Sequence, residues 1–172
     1  MNITRVIISL FVALQVSAAN AALKPGDAAP DFAAQAAIGG KDFNFSLTEA
    51  LKKGPVVLYF YPKSFTRGCT IEAHEFAESY DNFAAAGASL IGVSSDTIET
   101  QREFSTKECR DKFPVAADPA FKVINAYDAK RLKPSASGDT VADRISYVIL
   151  PDGKVAFSLT ESNPSRHVES TL

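Results

Sequence analysis

The sequence predicts one α/β domain, with a mixed central sheet covered by helices on both faces. Two observations lead to this prediction. Residues 55–62 and 88–96 are apolar runs rich in β-branched and aromatic side chains, as in strands buried on both faces. Each run is followed by a segment with apolar residues at helical spacing, at 69–87 and 97–112, so strands and helices alternate.

Shorter elements are predicted on either side of these two units. A glycine pair at 39–40 indicates a hairpin turn, and Ser46 can cap a short helix that Gly54 ends. The Asp-Gly pair at 152–153 indicates a second hairpin. The remaining predicted segments are an extended lead-in at 24–32, helices at 47–53 and 120–129, and strands at 144–150 and 155–160.

The composition excludes one class of partner. With 172 residues, of which 46% are apolar, the chain can bury the core of a single domain. Its formal charge is -2, and its lysine and arginine residues are scattered rather than clustered. We therefore expect no nucleic-acid partner.

The first 21 residues resemble a secretory signal peptide. Arg5 supplies a positive charge, residues 6–16 are apolar, and residues 19–21 form a small-x-small cleavage site. We expect cleavage after Ala21, a mature domain at 22–172, export to the periplasm and no stable membrane association. A retained membrane anchor or a buried first helix are the alternatives, but about ten apolar residues are too few to span a bilayer.

Export affects how the two cysteines, Cys69 and Cys109, are interpreted. Oxidising compartments permit disulfides, so the pair could be structural or catalytic. Metal binding is the weaker hypothesis, because the two cysteines and the two histidines, His74 and His167, match no zinc spacing. We expect neither a metal nor a cofactor.

Cys69 is predicted to begin a helix, where unpaired N–H groups and the helix dipole favour thiolate over thiol. The order of strand, loop, cysteine and helix is that of a thioredoxin-like active site. However, the sequence at 66–69 is Thr-Arg-Gly-Cys, without a second cysteine. Exchange through adjacent thiols is therefore excluded.

The residues Pro62, Thr66 and Cys69 form the PxxxTxxC signature of peroxiredoxins, directly after an apolar strand. The resemblance extends from Lys24 to the end of the chain and includes GVSSD, FPVAAD and Arg144 at the start of a late strand. The chain resembles the bacterioferritin-comigratory, or peroxiredoxin Q-like, subgroup. This resemblance implies a thioredoxin-like fold.

The resemblance also implies roles for these residues. Cys69 would attack the terminal oxygen of a hydroperoxide and become a sulfenic acid. The Thr66 hydroxyl would align the O–O bond, and Arg144 would hold the thiolate and the charge that develops on oxygen. Pro62 removes a backbone donor and screens the pocket from water.

Each role has a structural alternative. Cys69 could be an inert buried cysteine, Thr66 could only cap the helix, and Arg144 could be a surface salt-bridge partner. Arg67 lies beside the site without being required by the family, and we interpret it as a solvent-facing modulator.

The sequence departs from its subgroup at His74. Many members carry a resolving cysteine at this position, five residues after the peroxidatic one. Cys109 lies in the next predicted helix, about one turn beyond the usual position of an alternative resolving cysteine. We expect Cys109 to resolve the sulfenic acid after local opening, and a one-cysteine cycle with Cys109 in the core is the alternative.

Two other functions are alternatives, a thiol-disulfide oxidoreductase and a redox-inactive binding module on the same fold. The absence of a CxxC pair argues against the first, and the intact PxxxTxxC motif with Arg144 argues against the second. For the peroxidase, the expected partners are a hydroperoxide and a thioredoxin-like or small-thiol reductant, and the expected state is a monomer or weak homodimer. The sequence ends at HVESTL, where members of the family continue into a C-terminal helix, which leaves open whether the C-terminus is complete.

Overall fold

A computed structural model describes residues 22–172, so the predicted signal segment lies outside the described residues. The strands are β1 (Ala33–Ile38), β2 (Lys41–Ser46), β3 (Val56–Phe60), β4 (Ser89–Ser94), β5 (Val115–Ala117), β6 (Ile145–Ile149) and β7 (Val155–Thr160). The helices are α1 (Leu47–Leu51), α2 (Arg67–Ala85), α3 (Ile98–Lys107), α4 (Lys122–Ala126) and α5 (Pro164–Thr171). Within residues 22–172, no helix is long and apolar enough to cross a membrane.

All seven strands belong to one sheet, in the order β2-β1-β5-β4-β3-β6-β7. The central strand β3 pairs in parallel with β4 and antiparallel with β6, and all its residues are buried. Helix α2 is the crossover between the parallel pair β3 and β4, as such a pair requires. The predicted mixed sheet is therefore confirmed, as are both hairpins.

Each face of the sheet has its own core, because side chains alternate along β3. Leu58 and Phe60 contribute to the core that includes α1 and α4. Val57 and Tyr59 contribute to the core that includes α2, α3 and α5. The predicted helices on both faces are therefore confirmed, and both cysteines lie in the second core.

Gly92 in β4 allows a close approach between the sheet and the ring of Tyr59. A Cβ atom at Gly92 would lie 2.7 Å from the Tyr59 hydroxyl oxygen, which is too close for real atoms. The same ring stacks on Phe76 of α2, with centroids 4.6 Å apart. Glycine at this position therefore lets Tyr59 fill the space between β4 and α2.

The predicted helix at 97–112 is wrong at its C-terminal end, because α3 ends before Cys109. The Cys109 N–H donates to the carbonyl of Phe104, five residues back, at 3.0 Å. Arg110 and Asp111 then take left-handed backbone angles, with φ of 51° and 57°. These angles do not continue a right-handed helix, so Cys109 lies in a bend rather than on a helix face.

Two elements have no counterpart among the predicted ones. Strand β5 is only three residues long and pairs with β1 antiparallel and with β4 in parallel. Helix α5 occupies the segment where we predicted no element, with Asn163 as its N-cap residue accepting from the Ser165 N–H at 3.3 Å. Helix α5 packs against α2 and β6, and its Val168 belongs to the same core as Cys69.

Candidate active site

Cys69 lies in the first turn of α2, where the loop from β3 meets the helix. Thr66 is the N-cap residue, with extended backbone angles (φ -79°, ψ 150°), and its carbonyl accepts from the Thr70 N–H at 2.9 Å. Cys69 is the third helical residue, beside N–H groups that have no acceptor within the helix. The thiol is nevertheless buried, with 1% of the residue exposed. Its nearest charges therefore act with little screening by solvent.

The loop before Cys69 is held by the neighbouring elements. The Ser64 N–H donates to the Asp96 carboxylate at 2.7 Å, which ties the loop to the end of β4. Phe65 has a left-handed backbone (φ 62°), an uncommon conformation for a bulky residue. Its ring packs edge-on against Phe104 of α3, with centroids 5.2 Å apart. The loop is thereby connected to the helix that precedes Cys109.

The Thr66 hydroxyl makes no side-chain cap. It donates to the Lys63 carbonyl at 2.9 Å, and no helical N–H donates to it. Thr66 therefore caps the helix through its backbone carbonyl and not through its side chain. The hydroxyl is exposed and keeps lone pairs that can accept a hydrogen bond from a molecule entering the site.

Arg144, immediately before β6, is the cation that faces Cys69. Its Nη2 lies 3.5 Å from Cys69 Sγ, and its Nη1 donates to Glu72 Oε2. Arg144 is buried, so the alternative of a surface salt bridge is wrong. A Cβ at Gly68 would lie 3.1 Å from Nη2, so glycine at position 68 leaves room for the guanidinium.

Glu72 is the third member of a buried row with Cys69 and Arg144, and we did not predict its role from the sequence. It lies one turn after Cys69 on the same face of α2, and its Oε1 has no hydrogen-bond partner among the described residues. Burial raises the pKa of Glu72 to about 8, because Arg144 offsets only part of the cost of removing the carboxylate from water. Burial also opposes the charge on Arg144, but Glu72 and Cys69 together outweigh it and raise the pKa of Arg144.

The other two predicted residues flank this row. Pro62 follows β3 directly and is half-buried, and Arg67 is exposed at the first position of α2. Their placement fits a screening proline and a solvent-facing arginine. The structure brings Cys69 and Arg144 into direct contact and places Pro62 and Thr66 on the loop beside them.

Cys109 has a different environment, although it belongs to the same core. Burial first, and then the charges of Glu108 and Asp111, raise the pKa of Cys109 well above its usual value. Both cysteines are free thiols. In the folded conformation, Cys109 is therefore held as the unreactive thiol form.

Three polar contacts hold the segment around Cys109, residues 108–112, against α2. They are a hydrogen bond between His74 Nε2 and Glu108 Oε2 at 2.7 Å, and ion pairs of Glu78 with Arg110 at 3.1 Å and of Asp81 with Lys112 at 3.4 Å. His74, which occupies the position of the resolving cysteine in many members of the subgroup, thus binds the residue next to Cys109. Within the described residues, no group of three or more His, Cys, Asp or Glu side chains could hold a metal ion.

A thiol at a helix N-terminus, in contact with a buried arginine, is an arrangement typical of thiol-based redox sites, and here it lies on a mixed α/β sheet. The sequence profile of the AhpC/TSA family matches residues 25–158. The chain belongs to this family.

Relatives and solved structures agree with the predicted subgroup. The chain is 35% identical over 130 residues to chloroplastic peroxiredoxin Q of Gentiana triflora, which covers 75% of this chain and 57% of that protein. It is 33% identical over 118 residues to peroxiredoxin Bcp of Bacillus subtilis, which covers 68% of this chain and 74% of that protein. The chain thus spans about three fifths of the length of the plant relatives that it matches.

The crystal structure of peroxidoxin BcpB from Mycobacterium tuberculosis superposes with a TM-score of 0.76 at 30% identity, covering 87% of this chain and 94% of that one. A cysteine-to-serine mutant of PrxQ from Xylella fastidiosa gives the same TM-score at 22% identity, with 87% and 93% covered, and supports the fold alone. The predicted thioredoxin-like fold and the predicted resemblance are confirmed.

Proposed function

We propose that this chain is a thiol-dependent peroxidase that reduces hydrogen peroxide or an organic hydroperoxide through Cys69. The observation that carries the proposal is the contact between Arg144 Nη2 and Cys69 Sγ, at 3.5 Å, in the first turn of α2. A fixed cation and the helix terminus favour negative charge on sulfur before the reaction begins. Relatives named peroxiredoxin Q and Bcp support the same activity.

In the first step, the Cys69 thiolate attacks the terminal oxygen of the hydroperoxide. An S–O bond forms and the O–O bond breaks, so sulfur is oxidised to sulfenic acid and the leaving oxygen takes a proton as water or alcohol. Arg144 already faces the sulfur and can hold the charge that spreads over the two oxygens. The free lone pairs of Thr66 can accept from the O–H of the peroxide and orient it.

We further propose that Cys109 resolves the sulfenic acid. Its thiolate would attack the Cys69 sulfur, release water and form an intramolecular disulfide. A disulfide requires the two sulfurs to approach to about 2 Å, and a buried thiol with a raised pKa is a poor nucleophile. Cys109 must therefore leave its core position first.

The contacts of the 108–112 segment support a local opening of this segment. It lies in a bend outside α3, and its hydrogen bond and two ion pairs with α2 are exposed or half-exposed, each with a contribution of about 0 to 1 kcal/mol. Opening therefore costs mainly the burial of Cys109 and its apolar neighbours, which is less than unfolding the domain. This differs from the predicted route, in which the last turns of a helix would open.

The partners and location are part of the same proposal. A thioredoxin-like protein or a small thiol would reduce the disulfide, with two thiols oxidised for each disulfide that is broken. The signal-like residues 1–21 support export to the periplasm, and a monomer or weak homodimer is the proposed state.

Thiol mass spectrometry after one equivalent of hydrogen peroxide tests the cycle on reduced protein. Wild type should lose both thiols and hold a disulfide between Cys69 and Cys109. Cys109→Ser should consume its first peroxide at nearly the wild-type rate and accumulate sulfenic or sulfinic acid at Cys69. Cys69→Ser should retain the fold and consume no peroxide, because serine supplies no thiolate near neutral pH.

Two results would contradict these proposals separately. Peroxide turnover by Cys69→Ser at the wild-type rate would remove Cys69 as the nucleophile and refute the peroxidase assignment. Normal turnover of Cys109→Ser, with no disulfide in wild type, would leave the peroxidase in place and establish a one-cysteine cycle.

A further inference from the structure

His167 on α5 is a fully buried histidine without a role in the site described above. Its Nδ1 lies 2.8 Å from Ser146 Oγ, and its Nε2 lies 2.8 Å from the carbonyl oxygen of Glu161. A carbonyl oxygen only accepts hydrogen bonds, so Nε2 carries the proton and donates. Nδ1 of the neutral ring then accepts, and the Ser146 hydroxyl must be its donor.

Both hydrogen-bond partners of His167 lie next to Arg144, one along the chain and one through a backbone hydrogen bond. Ser146 stands two residues after Arg144, and alternation along a strand places the two side chains on the same side of the sheet. The Glu161 N–H donates to the Arg144 carbonyl at 3.3 Å. These contacts form a closed ring around the imidazole. The chain connects Arg144 to Ser146, hydrogen bonds connect Ser146 to His167 and His167 to Glu161, and the Glu161 N–H returns to the Arg144 carbonyl.

The charge state of His167 fits this arrangement. Burial lowers the pKa of His167, and the nearby charge of Arg144 lowers it further, although the bond with the Glu161 carbonyl acts in the opposite direction. At neutral pH the imidazole is uncharged, so it holds the backbone around Arg144 without placing a second cation beside the guanidinium.

We propose that His167 is a positioning residue for Arg144, which keeps the guanidinium against Cys69 by fastening α5 to Ser146 and to Glu161, whose N–H meets the arginine carbonyl. This inference rests on the proposed function of Arg144 at the thiolate. It assigns to α5 a role beyond packing on the core, because loss of the imidazole would remove the bonds of α5 to Ser146 and to Glu161 at once.

The test measures alkylation of Cys69 by iodoacetamide at pH 7, in a Cys109→Ser background where Cys69 is the remaining cysteine. Alkylation reports the thiolate that Arg144 stabilises and does not require peroxidase activity. His167→Ala should slow alkylation about fivefold to tenfold. His167→Gln can still donate to the Glu161 carbonyl, and should restore part of the rate.

Two controls separate positioning from a loss of stability. Ser165→Ala removes the 2.7 Å bond from Ser165 to Glu75, so it weakens the docking of α5 on α2 without touching the ring of bonds around Arg144. This variant should melt at a lower temperature and alkylate at the wild-type rate. If His167→Ala does not fold, Ser146→Ala removes one bond of the ring and should slow alkylation about threefold.

A double-mutant cycle with Arg144→Ala decides the question, because a residue that acts through Arg144 has no effect once the guanidinium is gone. We expect the loss from His167→Ala, or from Ser146→Ala, to disappear in the Arg144→Ala background. An equal loss in both backgrounds, or an alkylation rate within about twofold of wild type with Arg144 present, overturns the proposal. Peroxide consumption by wild type tests the proposed function separately, since its failure would leave the alkylation result intact.

Discussion

Replacement of Glu72 by glutamine should change how stability depends on pH. The buried carboxyl has a pKa raised from its usual 4.5 to about 8. The folded state therefore binds a proton more tightly at this site than the unfolded chain does. Stability from this group is fully present below pH 4.5 and is lost as the pH rises to about 8.

The size of this effect follows from the gap between the two pKa values. At about 1.4 kcal/mol per pH unit, the gap from 4.5 to about 8 corresponds to a loss on the order of 5 kcal/mol between these pH values. Glutamine has nearly the same shape and does not titrate. We therefore compare the free energies of unfolding of wild type and Glu72→Gln. The wild-type value minus the variant value should fall by several kcal/mol between pH 4.5 and about 8.

Urea unfolding of both proteins at intervals from pH 4.5 to 8.5, with the thiols kept reduced, measures this difference. Other titrating groups affect both proteins and cancel in the subtraction. Glu169→Gln, which changes an exposed carboxylate on α5, is the matched control and should give a flat difference. A flat difference for Glu72→Gln would refute the reasoning, and so would a difference that grows with pH, because either result means that Glu72 stays ionised beside Arg144.

Three further predictions concern the reaction itself. Gly68→Ala should slow oxidation of the thiol by peroxide about tenfold, because the added Cβ would lie 3.1 Å from Arg144 Nη2; a stopped-flow rate within about twofold of wild type would contradict this. His74→Ala removes the hydrogen bond with Glu108 and should speed disulfide formation, as followed by quenched mass spectrometry; unchanged rates would show that this contact does not hold the segment. Thr66→Val should slow peroxide reduction markedly while Thr66→Ser retains most of the rate, and equal rates would leave the hydroxyl without a role.

The central part of the fold could be predicted because its signals are local. Residues 55–62 are apolar without interruption, and β3 is buried along its whole length. The two hairpins also have short turn sequences that specify them. The PxxxTxxC motif likewise fixed the position of Cys69 at the start of α2, since the loop and helix signals occur together there.

The elements that escaped prediction depend on distant contacts. Strand β5 has only three residues and exists because β1 and β4 both pair with it. Left-handed backbone angles at Arg110 and Asp111 prevent α3 from continuing past Cys109. The amphipathic pattern runs on through 97–112 and gives no sign of this change in the backbone. One feature of the sequence could have identified Glu72, because it is a carboxylate on the apolar face of α2, one turn after Cys69. A buried carboxyl group requires a polar partner, and only the sheet brings Arg144 to it.

The two thiols share one core but have opposite electrostatic surroundings, and this difference sets the order of the proposed cycle. Cys69 faces the cation of Arg144, whereas burial and the acidic neighbours Glu108 and Asp111 disfavour the thiolate of Cys109. In the proposed cycle, peroxide would therefore meet one reactive sulfur, and the second would be kept from oxidation while the domain is closed. In the proposed opening of the 108–112 segment, solvent would remove the cost of burial and screen both carboxylates. The Cys109 thiol would then regain its reactivity as it becomes able to reach Cys69. Opening would thus control both the distance between the sulfurs and the nucleophilicity of the second one.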